Sequence, residues 1–202
     1  MRAAASAGKL PPVALGAAAR RLVDGRDPKA AKRLLEPLFR GALEALNERH
    51  EEALDVLCDA YGALDEPRKK QALLELALNP TDNHGLRAPL VNLLLRRGRD
   101  DDALELIGQY AEDLEPAIRF GAVLAWYRKG DLGRAARELE EAMRYMPLVP
   151  EYLISARKAE PKLSQLGVTA GGPDEAWLYR AEMREVWASV PGLLDWLKRA
   201  AR

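Results

Sequence analysis

An all-α fold is predicted for this 202-residue chain, on three observations. Ala and Leu each occur 34 times, and both are strong helix formers. Val, Ile and Thr together number only 14, too few for the β-branched residues that strands draw on. Finally, a pattern recurs at an offset of 32 residues: Arg87/Arg119, Val91/Val123, Arg96/Arg128, Gly98/Gly130 and Ala103/Ala135 are identical pairs. Recurrence at that period marks stacked structural units.

Residues 1–27 read as a flexible, basic, Ala-rich N-terminal tail, with Arg2, Lys9, Arg20 and Arg21 and no acid before Asp24. Asp27-Pro28 then starts a helix, Asp as the cap and Pro at the first helical position. An apolar stripe through Ala31, Leu34, Leu35, Leu38, Ala42 and Leu46 follows, broken at Pro37 into a kinked helix or two short ones. Leu54, Leu57, Cys58 and Tyr61 share one face of the next helix, which Asp65-Glu66-Pro67 ends. The helix beyond turns Ala72, Leu73 and Leu76 inward and stops at Asn79-Pro80-Thr81-Asp82. Gly98 and Gly130 each follow an apolar helix ending in basic residues, where a left-handed cap favours glycine and the helix dipole favours cations. Ala103 and Ala135 fall one turn into the following helices, where close helix contact leaves room for a small side chain. Pro116 and Pro147 close the two units. The stretch 155–173, with its Gly and Pro, reads as an irregular connection. Beyond it, Tyr179, Met183, Val186, Trp187 and Val190 form a helical stripe, and Pro191-Gly192 turns into a last helix carrying Trp196. A stack of hairpins exposes the apolar face of its last unit, so 174–201 reads as a capping pair. The organisation expected is thus tail 1–27, repeats 28–154, and connection with caps 155–202.

These residues carry a resemblance. A helix, a turn glycine and a second helix with Ala five residues after the Gly resembles the tetratricopeptide repeat, best at Gly130, Ala135, Ala142 and Pro147. Residues 51–80 look like an earlier copy without the turn glycine. The segments LNPTDNHGLR (78–87), MPLVPEYL (146–153) and the Trp-rich tail from 173 resemble a bacterial group of such proteins. That group often carries an appended SEC-C zinc motif. The motif is absent here, so no metal is carried over. Pro89 departs from the group and requires the helix to begin late or kink. The resemblance implies a short right-handed α-solenoid of TPR-like hairpins and a binding role. In such arrays the first helix of each hairpin lines a concave groove, which here would hold Asn92, Arg96, Phe120, Leu124, Tyr127 and Arg128.

The chemistry in the sequence points the same way. Formal charge is zero, 31 basic against 31 acidic residues, so no general attraction to polyanions exists and no nucleic-acid partner is expected. No apolar run approaches the roughly 18 residues of a membrane span. One cysteine excludes an internal disulfide and fits a cytoplasmic chain, with organelle targeting by the tail as the other reading. His50, His84 and Cys58 lack metal-site spacing, and Cys58 sits on an apolar face. Asp100-Asp101-Asp102 resembles a cation site, but consecutive helical residues fan apart by about 100° and acids suit a helix start. Gly171-Gly172-Pro173-Asp174-Glu175 likewise reads as helix initiation rather than a phosphate loop. No catalytic residue, metal or cofactor is expected. The function expected is a non-catalytic adaptor or scaffold that binds a protein or peptide, with a carboxylate or acidic group facing Arg96 and Arg128. The alternative is a structural subunit docking through its N-terminal segment and aromatic C-terminal helices. A homo-oligomer is compatible with either. Arg87 and Arg119 recur at equivalent places and are expected to bridge neighbouring helices.

Overall fold

A computed structural model describes residues 11–39, 51–77, 86–162 and 167–202. The readings of His50, His84 and the 79–82 helix stop fall outside these residues. Among the described residues the secondary structure is helical, with no strand. The fold is all-α. Contacts divide it into two compact units, Met1–Arg87 and Ala88–Arg202, so helices of the expected repeat array lie in both.

In the first unit, helices α1 (Pro12–Asp24), α2 (Pro28–Leu35), α3 (Glu51–Ala63) and α4 (Pro67–Ala77) pack on one another. Residues 12–24, expected within a flexible tail, instead form α1, whose Leu15 and Ala19 are buried. Arg26 explains the difference. It takes φ +63 while the amide of Asp27 donates to Leu22 O at 2.8 Å and that of Arg26 to Val23 O at 2.9 Å. That pair of bonds is a Schellman cap, which closes α1 onto α2 as a hairpin. With arginine rather than glycine in the left-handed position, the corner has no signature in the sequence. Asp65 builds the same corner after α3, with φ +52 and the Glu66 amide on Tyr61 O at 2.8 Å. Asp27 caps α2 as its sequence position requires, its carboxylate accepting from the Ala30 amide at 2.9 Å. At Pro37 the helix passes into a 3-10 turn, Glu36–Phe39. Cys58 is buried beside Leu54, Leu57 and Tyr61 as the pattern predicts.

The second unit begins with α5 (Arg87–Arg96) and α6 (Asp100–Gln109), followed by α7 (Pro116–Arg128) and α8 (Leu132–Tyr145). Pro89 lies in the first turn of α5, where its missing N–H has no helical partner to lose. The helix begins late rather than kinking. The two corners are superposable in their bonding. Arg99 N donates to Leu94 O and Gly98 N to Leu95 O; Asp131 N donates to Trp126 O and Gly130 N to Tyr127 O. Gly98 and Gly130 have φ +68 and +78. Side chains 32 apart therefore occupy like places in successive hairpins. Gly121 of α7 permits a close approach of the layers, since a Cβ there would lie 3.1 Å from Val91 Cγ1 and 3.2 Å from Leu95 Cδ1.

Three further helices complete the unit: α9 (Val149–Ile154), α10 (Pro173–Ser189) and α11 (Leu193–Ala200). The Gly-Gly-Pro-Asp-Glu segment is a helix start. Asp174 accepts from the Thr169 amide at 2.8 Å and the Glu175 amide at 3.0 Å, and Glu175 accepts from the Gly171 amide at 2.8 Å. Those backbone donors hold the Asp174 carboxyl below the usual aspartate range. Arg180 and Arg184 both donate to Ser155 O, fixing the connection against α10.

Candidate protein-interaction face

The face built by α5 and α7 is lined largely as the repeat register requires, and it is occupied. Helix α10 lies across it. Asn92, 2% exposed, donates from Nδ2 to Glu182 Oε2 at 2.8 Å. Arg96 Nη2 pairs with Glu182 Oε1 at 3.0 Å and donates to the Glu182 carbonyl at 2.8 Å. Two donors from one turn of α5 therefore grip one residue of α10. Phe120 and Leu124 are fully buried. The Phe120 ring meets Tyr179 at 6.0 Å and Trp187, edge-on, at 6.5 Å. Trp187 Nε1 donates to Tyr179 Oη at 3.2 Å, which satisfies the indole inside an apolar layer. Tyr127 packs on Trp196 of α11 at 5.2 Å and donates to Pro191 O at 3.4 Å. The capping pair expected from the Trp-rich tail thus covers α7, with Tyr179, Met183, Trp187, Leu193 and Leu197 buried.

Two corrections follow. The groove expected to stand open is filled by the chain's own helix, because the aromatic stripe of α10 has the apolar area to cover it. Arg128 does not face that groove. Its Nη1 donates to Leu95 O at 2.7 Å and pairs with Asp100 at 3.1 Å, tying the end of α7 to the preceding corner. Both side chains of that pair are mostly shielded, so the arginine is a structural tie.

The aspartate triplet resolves the same way. Asp100 goes to Arg128, Asp101 to Lys129 and Asp102 to Arg99 at 2.7 Å. The three carboxylates point apart to three cations, and among the described residues no cluster of His, Cys, Asp or Glu could hold a metal ion. No described helix is long and apolar enough to cross a membrane.

A second concavity lies between α6 and α8, with α7 as its floor. Ile107, Gly108, Ile118 and Ala122 give it an apolar wall, and Trp126, Arg119 and Glu138 line it as well. The Arg134 guanidinium lies 4.4 Å over the Trp126 ring. Arg119, expected to bridge helices, lines this cleft, and among the described residues its buried Nε has no acceptor. Repeat arithmetic places Arg119 and Trp126 on α7 but does not single out the cleft. Only the separation of α6 from α8 reveals it.

No family model matches the chain, and no curated protein matches it. Among solved structures it is similar to nearly identical TPR-like repeats from Podosopora anserina, from a chain assigned as a kinesin light chain, at 16% identity. The match covers 94% of this chain and 95% of that one, with a TM-score of 0.48. A single-substitution form of the same repeats matches at 16% identity over the same shares, with a TM-score of 0.49. The fold stated above rests on this chain's own helices and corners.

Proposed function

We propose that the chain is a non-catalytic protein-interaction module, an adaptor or scaffold, taking a protein or peptide segment on the face lined by Asn92, Arg96, Phe120, Leu124 and Tyr127. The observation that supports this reading is the chemistry by which that face holds α10: a carboxylate on Asn92 and Arg96, and aromatic rings on Phe120 and Tyr127. A partner segment with an acidic group and an aromatic stripe meets the same donors and exchanges with α10. The competition is steep, because α10 belongs to the same chain and seats a fully buried Trp187 against Phe120. The partner must offer more contacts than α10 does. The alternative, a structural subunit docking through its N-terminal segment and aromatic C-terminal helices, has less to work with at the C-terminal end, since Trp187 is fully buried and Trp196 packs on Tyr127.

The test is affinity purification with mass spectrometry on wild type, Arg96→Glu and Glu182→Ala, each checked for folding. Arg128 is left intact because its role is structural. The expected result is a partner lost with Arg96→Glu and recovered in greater amount with Glu182→Ala, which loosens the internal occupant. Equal recovery by all three would remove this face from the interaction. Recovery of nothing beyond a bead control would remove the module reading itself.

A further inference from the structure

We propose that the cleft between α6 and α8 is a second docking site, for an extended peptide segment that presents an aliphatic side chain next to a carboxylate. The proposal rests on the interaction-module reading but on a different surface, away from α10. Its first support is shape. The inner cavity is about 260 Å³ and adjoins a wider mouth of about 540 Å³ that shares Arg119, Trp126 and Glu138 with it, room for one inserted side chain and for the stretch of peptide that carries it. Its wall is largely aliphatic, with Leu104, Ile107, Ile118 and Ala122 among the lining residues. Gly108 is part of that lining, and a Cβ there would meet nothing within 4 Å.

The second support is charge. Arg119 lines both this cavity and the wider mouth beside it. Among the described residues its buried Nε–H has no acceptor, and a buried donor left unsatisfied is costly. A guanidinium offers forked donors that match a carboxylate in geometry and charge. The mouth chooses between anions. It carries Glu112, Glu138 and Glu141 alongside Arg119, Arg134 and Arg137, so a polyphosphate or nucleic acid meets three carboxylates, whereas a single carboxylate on Arg119 meets one, Glu138, in the inner cavity. Arg134 is already paired with Asp131 at 3.2 Å and packed on Trp126. Arg119 is the cation that reaches the inner cavity with a donor to spare.

The experiment is selection of phage-displayed random 12-residue peptides on the full chain, followed by fluorescence polarisation with the recovered peptides. Gly108→Leu fills the cavity at a helical position that favours a side chain, and Arg119→Glu reverses the charge. Arg96→Glu controls for the α10 face, and circular dichroism confirms that each variant folds. The expected peptides carry an aliphatic residue beside Asp or Glu. Their affinity falls at least tenfold with Gly108→Leu and with Arg119→Glu and holds with Arg96→Glu. Replacing the peptide acid by Lys restores binding to the Arg119→Glu chain. The proposal is overturned if no peptide is recovered, if binding survives both cleft substitutions, or if sedimentation shows self-association that Gly108→Leu abolishes, since the occupant is then a second copy. Peptides lost only with Arg96→Glu would overturn the cleft and leave the module reading standing.

Discussion

Gly130→Ala, Asp65→Gly and Arg26→Gly perturb one backbone conformation in three chemical contexts. A Cβ on Gly130 would meet nothing within 4 Å, so the cost of alanine is purely conformational, about 1–2 kcal/mol for an L-residue held at positive φ. Arg26 already bears that cost at φ +63. Glycine there relieves it and gives back about 0.5–1 kcal/mol of chain entropy, leaving a net gain near 0.5–1 kcal/mol. Asp tolerates the left-handed region better than Arg, so Asp65→Gly should come out close to neutral. Each unit has its own reporter. All four Trp lie in Ala88–Arg202, and Cys58 lies in Met1–Arg87. Urea unfolding followed by Trp fluorescence should show Gly130→Ala shifted to lower midpoint with unchanged slope. Labelling of the Cys58 thiol, which requires opening of its unit, should slow about threefold with Arg26→Gly. If Gly130→Ala is neutral, or if Arg26→Gly speeds labelling, the corners are not held in the left-handed conformation.

Trp187→Ala removes a fully buried ring and should cost about 3–5 kcal/mol; a loss under 1 kcal/mol in urea unfolding would mean that α10 is not packed on Phe120. Arg128→Ala should cost about 1–3 kcal/mol, because it leaves a largely shielded Asp100 without its cation, Leu95 O keeping the Gly98 amide, and a neutral result would return Arg128 to the ligand contacts. Burial pushes the Cys58 thiol up to about 12, so maleimide labelling of the folded chain at pH 7 should track unfolding, whereas fast labelling in native buffer would contradict it. The Asp174 carboxyl is lowered by backbone donors, so its contribution is complete above the unfolded aspartate value and lost as pH falls through the folded one. Asp174→Asn should therefore flatten the acid limb of the stability curve below about pH 4, and superimposable limbs would refute the assignment.

The helices and the two glycine corners are legible because each local preference agrees with the fold. Ala-Leu richness, Asp caps and Gly at positive φ all name the same elements. The first hairpin, α1 with α2, is not legible, because Arg26 occupies a left-handed conformation that arginine does not advertise; the corner after α3 is marked by Asp65-Glu66-Pro67, its left-handed residue is not. The α10 stripe can be read as a cap, but which face it covers depends on tertiary packing, and no residue spacing names the inner face as its seat. Phe120 and Leu124, expected to line the groove, are buried. Arg128 shows the limit of register: it has the same repeat position as Arg96, yet the preceding layer captures it, while Arg96 has α10 within reach.

Because α10 and α11 shield Phe120, Leu124 and Tyr127, where a recombinant fragment stops matters more than its length. A truncation after Ile154 would strip a greasy surface bare and send the protein into inclusion bodies. Fragments meant for soluble expression or crystallisation should therefore run through the final helix, with affinity tags placed after Arg202.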